Sequence, residues 1–264
     1  MITSLSNRTV KEVAALSRKG KERNKRDVFV VEGIKMFMEA PAERICGIYI
    51  AQSAEREILE RCGEKLADLT YELVADEVFA KMSDTMTPQG ILCLVRQFHY
   101  ELEEILEEKI KERALFIILE DIQDPGNLGT VFRTAEAAGA DGVIMSRQTV
   151  DVYNPKTIRS TMGSVYRVPF LCVEDVSSII KVLQEKGVRV YAAHLDGKVF
   201  YETFDYRAST AFLIGNEAKG LREETASCAD TLIRIPMEGQ VESLNAAVAS
   251  SVLLYEAHRQ RKWN

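Results

Sequence analysis

The chain has 264 residues, with 34 lysines and arginines against 40 aspartates and glutamates, a formal net charge of −6, and 46% apolar and 28% charged residues. This balance fits one large or two modest packed domains and excludes an extensively disordered chain. Its five scattered cysteines (Cys46, Cys62, Cys93, Cys172, Cys228) contain no CxxC pair, which excludes the usual zinc spacings and fits reduced thiols. No apolar run resembles a signal peptide or approaches a membrane span, so a soluble, cytoplasmic protein is expected.

The first notable segment is basic. Between Arg8 and Arg26 stand eight cations (Arg8, Lys11, Arg18, Lys19, Lys21, Arg23, Lys25 and Arg26) and two acids, Glu12 and Glu22. An acidic protein can still present a basic face to phosphates, and an ordinary solvated helix is the competing reading. Short strands are then predicted at 27–32, 45–51, 71–74 and 91–98, with helices at 34–39, 55–61 and 78–82, a small α/β unit. The acidic run 99–114 carries Leu102, Ile105, Leu106 and Ile110 at helical spacing, which suggests a short amphipathic connector. These readings place one domain over 1–98, a charged linker over 99–113 and a second domain over 114–264.

The second domain alternates more strongly. Strands are predicted at 115–119, 142–146, 168–172, 188–193, 211–215 and 231–235, and helices at 128–139, 155–163, 175–186, 221–228 and 245–260. A mostly parallel sheet covered on both faces follows, with ligands expected at the carboxyl ends of its strands.

Three loops at such ends carry candidate chemistry. In DPGNLGTVFRTAEAAGADG (124–142) the glycine spacing departs from the dinucleotide fingerprint, and no acid follows the next strand, so a nicotinamide site is disfavoured. Asn127 is either a helix cap or a ligand-facing amide, and Arg133, less than two turns on, can stay near the loop mouth. In FLIGNEAKGL (212–221) an apolar strand ends on Gly215 and is followed at once by Asn216 and Glu217, which is either a plain turn or a place for a substrate-contacting acid. In IPMEGQVESLNAAVAS (235–250) either Ser243 or Asn245 can cap a final helix whose Ala and Ser residues permit close packing.

In that order the three loops resemble the three motifs of the SpoU (TrmH) family, RNA ribose 2′-O-methyltransferases of the SPOUT class, with no departure at the positions that matter. The stretch SLSNRTVKEVAALSRKGKERNKRDVFVVEG resembles, less specifically, the RNA-binding extension of the family's ribosomal RNA members. The resemblance implies an α/β fold: a carboxy-terminal SPOUT trefoil-knot domain plus a smaller amino-terminal α/β/α ribosomal-protein-like domain. Periodicity alone does not suggest a knot, since knots are nearly absent from proteins.

The resemblance further implies S-adenosyl-L-methionine as cofactor, in a pocket lined by Gly215, Ile235 and Leu244 and completed near Ala193, His194, Leu195 and Met237. Asn127, Arg133, Glu217, Ser243 and Asn245 match the family's catalytic and substrate-binding positions, whereas the slot of His194 is not a catalytic one. Arginine keeps its proton, so Arg133 is expected to stabilise a forming alkoxide and anchor an adjacent phosphate, with Ser243 and Asn127 orienting both. The basic residues of 8–26 are expected to bind RNA, ribosomal RNA before transfer RNA, and the family pairs as homodimers through the knotted domain. No metal and no membrane partner is implied. A non-catalytic RNA-binding protein on the same fold and a nicotinamide oxidoreductase are the competing functions.

Overall fold

The structure is a computed structural model that describes residues 1–109 and 113–262. Residues 110–112 of the predicted linker therefore lie outside the described residues. The chain forms two compact units, one of residues 1–98 with 151–166, the other of 99–150 with 167–264. The segment 151–166, read from sequence as part of the second domain, thus packs with the amino-terminal residues. Among the described residues no helix is long and apolar enough to cross a membrane, and no group of three or more His, Cys, Asp or Glu could hold a metal ion.

The first unit begins with α1 (Arg8–Arg18) and α2 (Gly20–Arg26). Asn7 caps α1 by accepting the Thr9 N–H at 2.7 Å, and Asp27, at φ 54°, closes α2 in the left-handed region. β1 (Val28–Glu32), α3 (Ile34–Glu39), β2 (Ile45–Ala51), α4 (Glu55–Leu66), β3 (Glu72–Val74), α5 (Asp76–Met82) and β4 (Ile91–Arg96) follow. The sheet order is β1-β4-β2-β3, with β4 antiparallel to both neighbours and β3 parallel to β2. Strand alternation divides the apolar residues between two faces. Val30, Tyr49 and Leu92 pack with Val10, Val13 and Leu16 of α1 and Val78, Phe79 and Met82 of α5. On the other face the Phe29 ring lies 4.6 Å from Tyr153, whose hydroxyl accepts from the Phe98 N–H at 2.6 Å and donates to the Phe98 carbonyl at 3.0 Å. Those bonds tie down the added segment, which carries α8 (Pro155–Thr161).

The second unit opens with α6 (Leu102–Lys109), whose Ile105 and Leu106 are buried in that unit's core. The described part of the predicted linker is therefore a packed element, because its apolar stripe has a sheet to cover. Then come β5 (Leu115–Leu119), α7 (Pro125–Ala138), β6 (Gly142–Ser146), β7 (Phe170–Val173), α9 (Val176–Glu185), β8 (Arg189–Ala193), β9 (Val199–Phe200), β10 (Thr210–Ile214), α10 (Glu223–Ala226), β11 (Thr231–Arg234) and α11 (Ala246–Lys262). All seven strands run parallel in the order β7-β6-β5-β10-β8-β11-β9. The continuous apolar runs of β5, β6 and β10 are buried along their whole length, as strands covered on both faces must be. Ile180 and Leu183 of α9 close one face over Phe116, Ile118 and Leu213. On the other, α7 and α11 lie side by side, with Thr134 and Ser251 hydroxyls 3.0 Å apart and the His258 ring on the Ala138 carbonyl. A parallel sheet gathers all its carboxyl ends at one edge, so the loops after Leu119, Ala193, Ile214 and Arg234 meet there.

Candidate active site

Two recesses open at that edge. The first is a cavity of about 380 Å³ that includes Ala193, His194, Leu195, Ile214, Gly215, Leu221, Ile233, Ile235, Met237, Ser243 and Leu244 in its lining. All seven residues predicted to hold the cofactor line it. Its walls mix apolar side chains (Leu195, Ile214, Leu221, Ile233, Ile235, Met237 and Leu244), which suit a flat heteroaromatic ring, with the polar groups of Asp196, Asn216, Arg234, Glu242 and Ser243. Gly215 is indispensable to this shape: a Cβ there would stand 2.3 Å from the Gly220 carbonyl carbon and from the Leu221 nitrogen. Without a side chain, 215–221 closes into a tight turn, in which Asn216 and Gly220 exchange backbone hydrogen bonds of 3.1 and 2.9 Å. Asn216 fixes the turn further. Its Oδ1 accepts from the Ala218 and Lys219 N–H groups, and its Nδ2 donates to the Asp121 carbonyl at 2.7 Å. The His194 ring accepts the Asp196 N–H at 3.2 Å, which orders its own loop.

The second recess is a cleft of about 980 Å³ whose lining includes Asp121, Asp124, Asn127, Gln148, Arg222 and Asn245. The turn 216–220 lines both recesses and is the wall between them. Here Glu217 accepts from the Gln123 N–H at 3.1 Å, the Asp124 N–H at 3.2 Å and Asn127 Nδ2 at 2.9 Å. Asn127 Oδ1 in turn accepts from Asn245 Nδ2 at 2.9 Å. Burial would raise the Glu217 carboxyl, but the Asn127 amide and the backbone N–H groups of Glu217, Gln123 and Asp124 outweigh it and hold the group below its ordinary value. One residue from each of the three sequence loops thus joins a single chain of hydrogen bonds.

The helix caps resolve two open choices. Asp124, not Asn127, caps α7, accepting the Asn127 N–H at 2.8 Å, because Pro125 begins the helix two residues before Asn127. The Asn127 side chain is thereby left for Glu217 and Asn245. Asn245 does cap α11, accepting from Ala247 and Val248, and uses its amide nitrogen for Asn127. Ser243 lines the cofactor-sized cavity rather than the cleft.

Arg133 is the one predicted catalytic residue that lines neither recess. It stands exposed on α7 and makes no hydrogen bond or ion pair among the described residues. In the first unit, Arg23 departs from the predicted basic face. It is only 3% exposed, donates to Asp151 at 2.5 and 3.1 Å and to the Leu16 carbonyl at 2.6 Å, and so belongs to the packing. Arg8 and Arg26 both pair with Glu12, at 2.7 and 2.9 Å, whereas Lys11, Arg18, Lys19, Lys21 and Lys25 are exposed.

Sequence reasoning missed a brace beneath the turn. Glu120, 1% exposed, accepts the Arg222 N–H at 2.8 Å, Arg222 Nε at 2.9 Å and Thr225 Oγ1 at 2.5 Å. The available signal was an acid placed directly after five apolar residues, at the end of a buried strand and followed by Asp121.

This parallel α/β sheet sets a cavity and a polar cleft on either side of one turn at its carboxyl edge, the place where such a sheet binds ligands. A family model described as the SpoU rRNA Methylase family matches residues 114–255, and one described as the MRM3-like substrate binding domain matches residues 7–93. The chain is 31% identical over 259 residues to the 23S rRNA (guanosine(2553)-2′-O)-methyltransferase RlmP of Bacillus subtilis (strain 168), covering 96% of this chain and 97% of that one. It superposes on an AdoMet-bound rRNA methyltransferase from Sinorhizobium meliloti with a TM-score of 0.83 and 33% identity, covering 98% and 97% of the two chains. On the AdoMet complex of the SpoU methyltransferase AviRb from Streptomyces viridochromogenes it superposes with a TM-score of 0.86 and 26% identity, covering 97% and 98%. The chain belongs to the SpoU family and is an S-adenosylmethionine-dependent RNA 2′-O-ribose methyltransferase.

Proposed function

We propose that the enzyme methylates a ribose 2′-hydroxyl of large-subunit ribosomal RNA, bound in the cleft beside the cofactor cavity. The observation that carries this reading is the shared turn 216–220, which lines both the cofactor-sized cavity and the cleft that holds the polar chain of Glu217, Asn127 and Asn245. The names of the full-length relatives favour ribosomal over transfer RNA. The five exposed cations Lys11, Arg18, Lys19, Lys21 and Lys25, along and between the first two helices, supply a surface for its phosphates.

Gly215, Ile235, Leu244 and Met237, with Ala193, His194 and Leu195, would hold the cofactor in the cavity they line, whose wall is the turn that the absent Cβ of Gly215 allows to close. When bound, S-adenosylmethionine supplies a methyl group already activated by its sulfonium. The protein must therefore orient the ribose oxygen and stabilise the charge left as its proton departs. Glu217, braced by three donors, fixes Asn127; Asn127 and Asn245 orient the ribose from the cleft, and Ser243 from the cavity side.

Arg133 stabilises the forming alkoxide and an adjacent phosphate. We place it across a homodimer interface, because it is exposed beyond the recesses of its own chain and α11 exposes Val248 and Tyr255. A trefoil knot at the carboxy-terminal edge and a cytoplasmic location complete the reading. Calorimetry should show one S-adenosylmethionine site per chain, and tritiated methyl transfer to unmodified 23S rRNA should map to a single ribose. Cofactor binding without transfer to any RNA would favour a non-catalytic RNA-binding module.

A further inference from the structure

The wall between the two recesses carries a cation without a partner. Lys219 lines both the cleft and the cavity, is exposed, and uses only its backbone N–H, which donates to Asn216 Oδ1 at 3.0 Å. Its ammonium makes no hydrogen bond or ion pair among the described residues. The other charges around the cleft are engaged. Asp121 accepts from the Ser146 hydroxyl at 2.7 Å, Asp124 caps α7, Glu217 takes three donors, and Arg222 is matched by Glu120. Arg147, beside the lining residue Gln148, is paired with Glu174. A cleft bounded by three carboxylates in a chain of net charge −6 repels a polyanion unless a cation stands where the backbone enters.

We propose that the Lys219 ammonium holds the phosphodiester of the RNA on the 3′ side of the methylated ribose. The reacting 2′-oxygen and the 3′-phosphate sit on neighbouring sugar carbons. A cation on the wall that separates donor cavity from acceptor cleft therefore meets that phosphate when the ribose oxygen faces the cavity. Neutralising it also removes a charge that would oppose the forming alkoxide. Arg234, which lines the cavity but not the cleft, would be available to the cofactor's own carboxylate. The short, hydrogen-bonded turn fixes the Lys219 backbone on the wall between these two recesses.

This assignment rests on the reading of the cleft as the RNA site. The test compares Lys219→Gln and Lys219→Arg with the unaltered protein. It measures binding of in vitro-transcribed, unmodified 23S rRNA over a KCl series, S-adenosylmethionine binding by calorimetry, and methyl transfer. Lys219→Gln should weaken RNA binding about ten-fold, the scale of one charge-assisted contact. It should also lower the slope of log K against log salt by about 0.7–0.9, one phosphate's share. Lys219→Arg should restore most of both, and neither variant should change cofactor affinity. Unchanged RNA affinity and slope in Lys219→Gln overturn the proposal. So does weakened cofactor binding with RNA binding intact, which assigns the ammonium to the cavity. If the unaltered protein transfers no methyl group while Lys219→Gln still lowers the slope, the methyl-transfer reading fails and the phosphate contact stands.

Discussion

Replacing Glu120 by Gln tests whether the cofactor wall is held from below. In the better of its two orientations, the amide oxygen keeps the bonds now made by Oε1 to Arg222 Nε, to the Arg222 terminal nitrogen at 2.7 Å and to Thr225 Oγ1. The amide nitrogen then faces the Arg222 N–H, and two donors meet where one bond of 2.8 Å stood. A buried N–H left unsatisfied costs about 1–3 kcal/mol, and bonds to a neutral rather than an ionised acceptor are roughly half as strong. The Arg222 side chain is 53% exposed, so water recovers part of that loss. The balance is about 2–3 kcal/mol, which for a chain of this length lowers Tm by about 5–10 °C. Because Arg222 ends the turn that lines the cavity, binding must then reorder 215–222, and S-adenosylmethionine affinity should fall by about ten-fold. Differential scanning fluorimetry and calorimetry read both effects. A normal Tm would refute the brace, and a lowered Tm with normal cofactor affinity would refute its connection to the wall.

The depressed Glu217 carboxyl has a signed consequence. Its folded-state value lies below that of an ordinary glutamate, so the stability it contributes is present above the ordinary value and is lost as pH falls through the folded one. The stability difference between wild type and Glu217→Gln should therefore be constant near neutrality and shrink in acid, as followed by urea unfolding at a series of pH values. A difference that grows in acid contradicts this. In the first unit, Arg23→Ala should lower Tm, since it strands Asp151 and the Leu16 carbonyl at a cost of about 2–4 kcal/mol. Lys25→Ala should leave Tm within about 2 °C, a surface change within ±0.5 kcal/mol, and weaken RNA binding, with a smaller salt slope in filter binding. Equal melting of the two variants would contradict the division between packing and surface cations.

Much of the second unit was legible in sequence because a parallel sheet buried on both faces writes its strands as unbroken apolar runs. Leu115–Leu119 and Gly142–Ser146 fall where predicted. The chemistry was legible for a related reason: in such a sheet every functional loop must follow a strand end, and the three polar loops all do. The cofactor residues depended on family resemblance, and the structure gathers them around one cavity, although they are spread from Ala193 to Leu244 with no spacing that would reveal it.

What sequence could not decide depended on contacts distant along the chain. Whether Asn127 caps its helix or reaches a ligand turned on Asp124 taking the cap and on Glu217, 90 residues later, taking the amide. Whether Arg23 faces RNA turned on Asp151, 128 residues away, whose carboxylate draws it inward. The acidic stretch after His99 reads as a linker from its charge, yet Ile105 and Leu106 find a core to cover. The sequence by itself determined the strands, their periodicity and the residue types at the loop mouths, since these follow from local pattern and burial. Only the tertiary structure decided which polar side chains are consumed in holding one another and which, like Lys219, are left for a ligand, because that depends on partners no local pattern encodes.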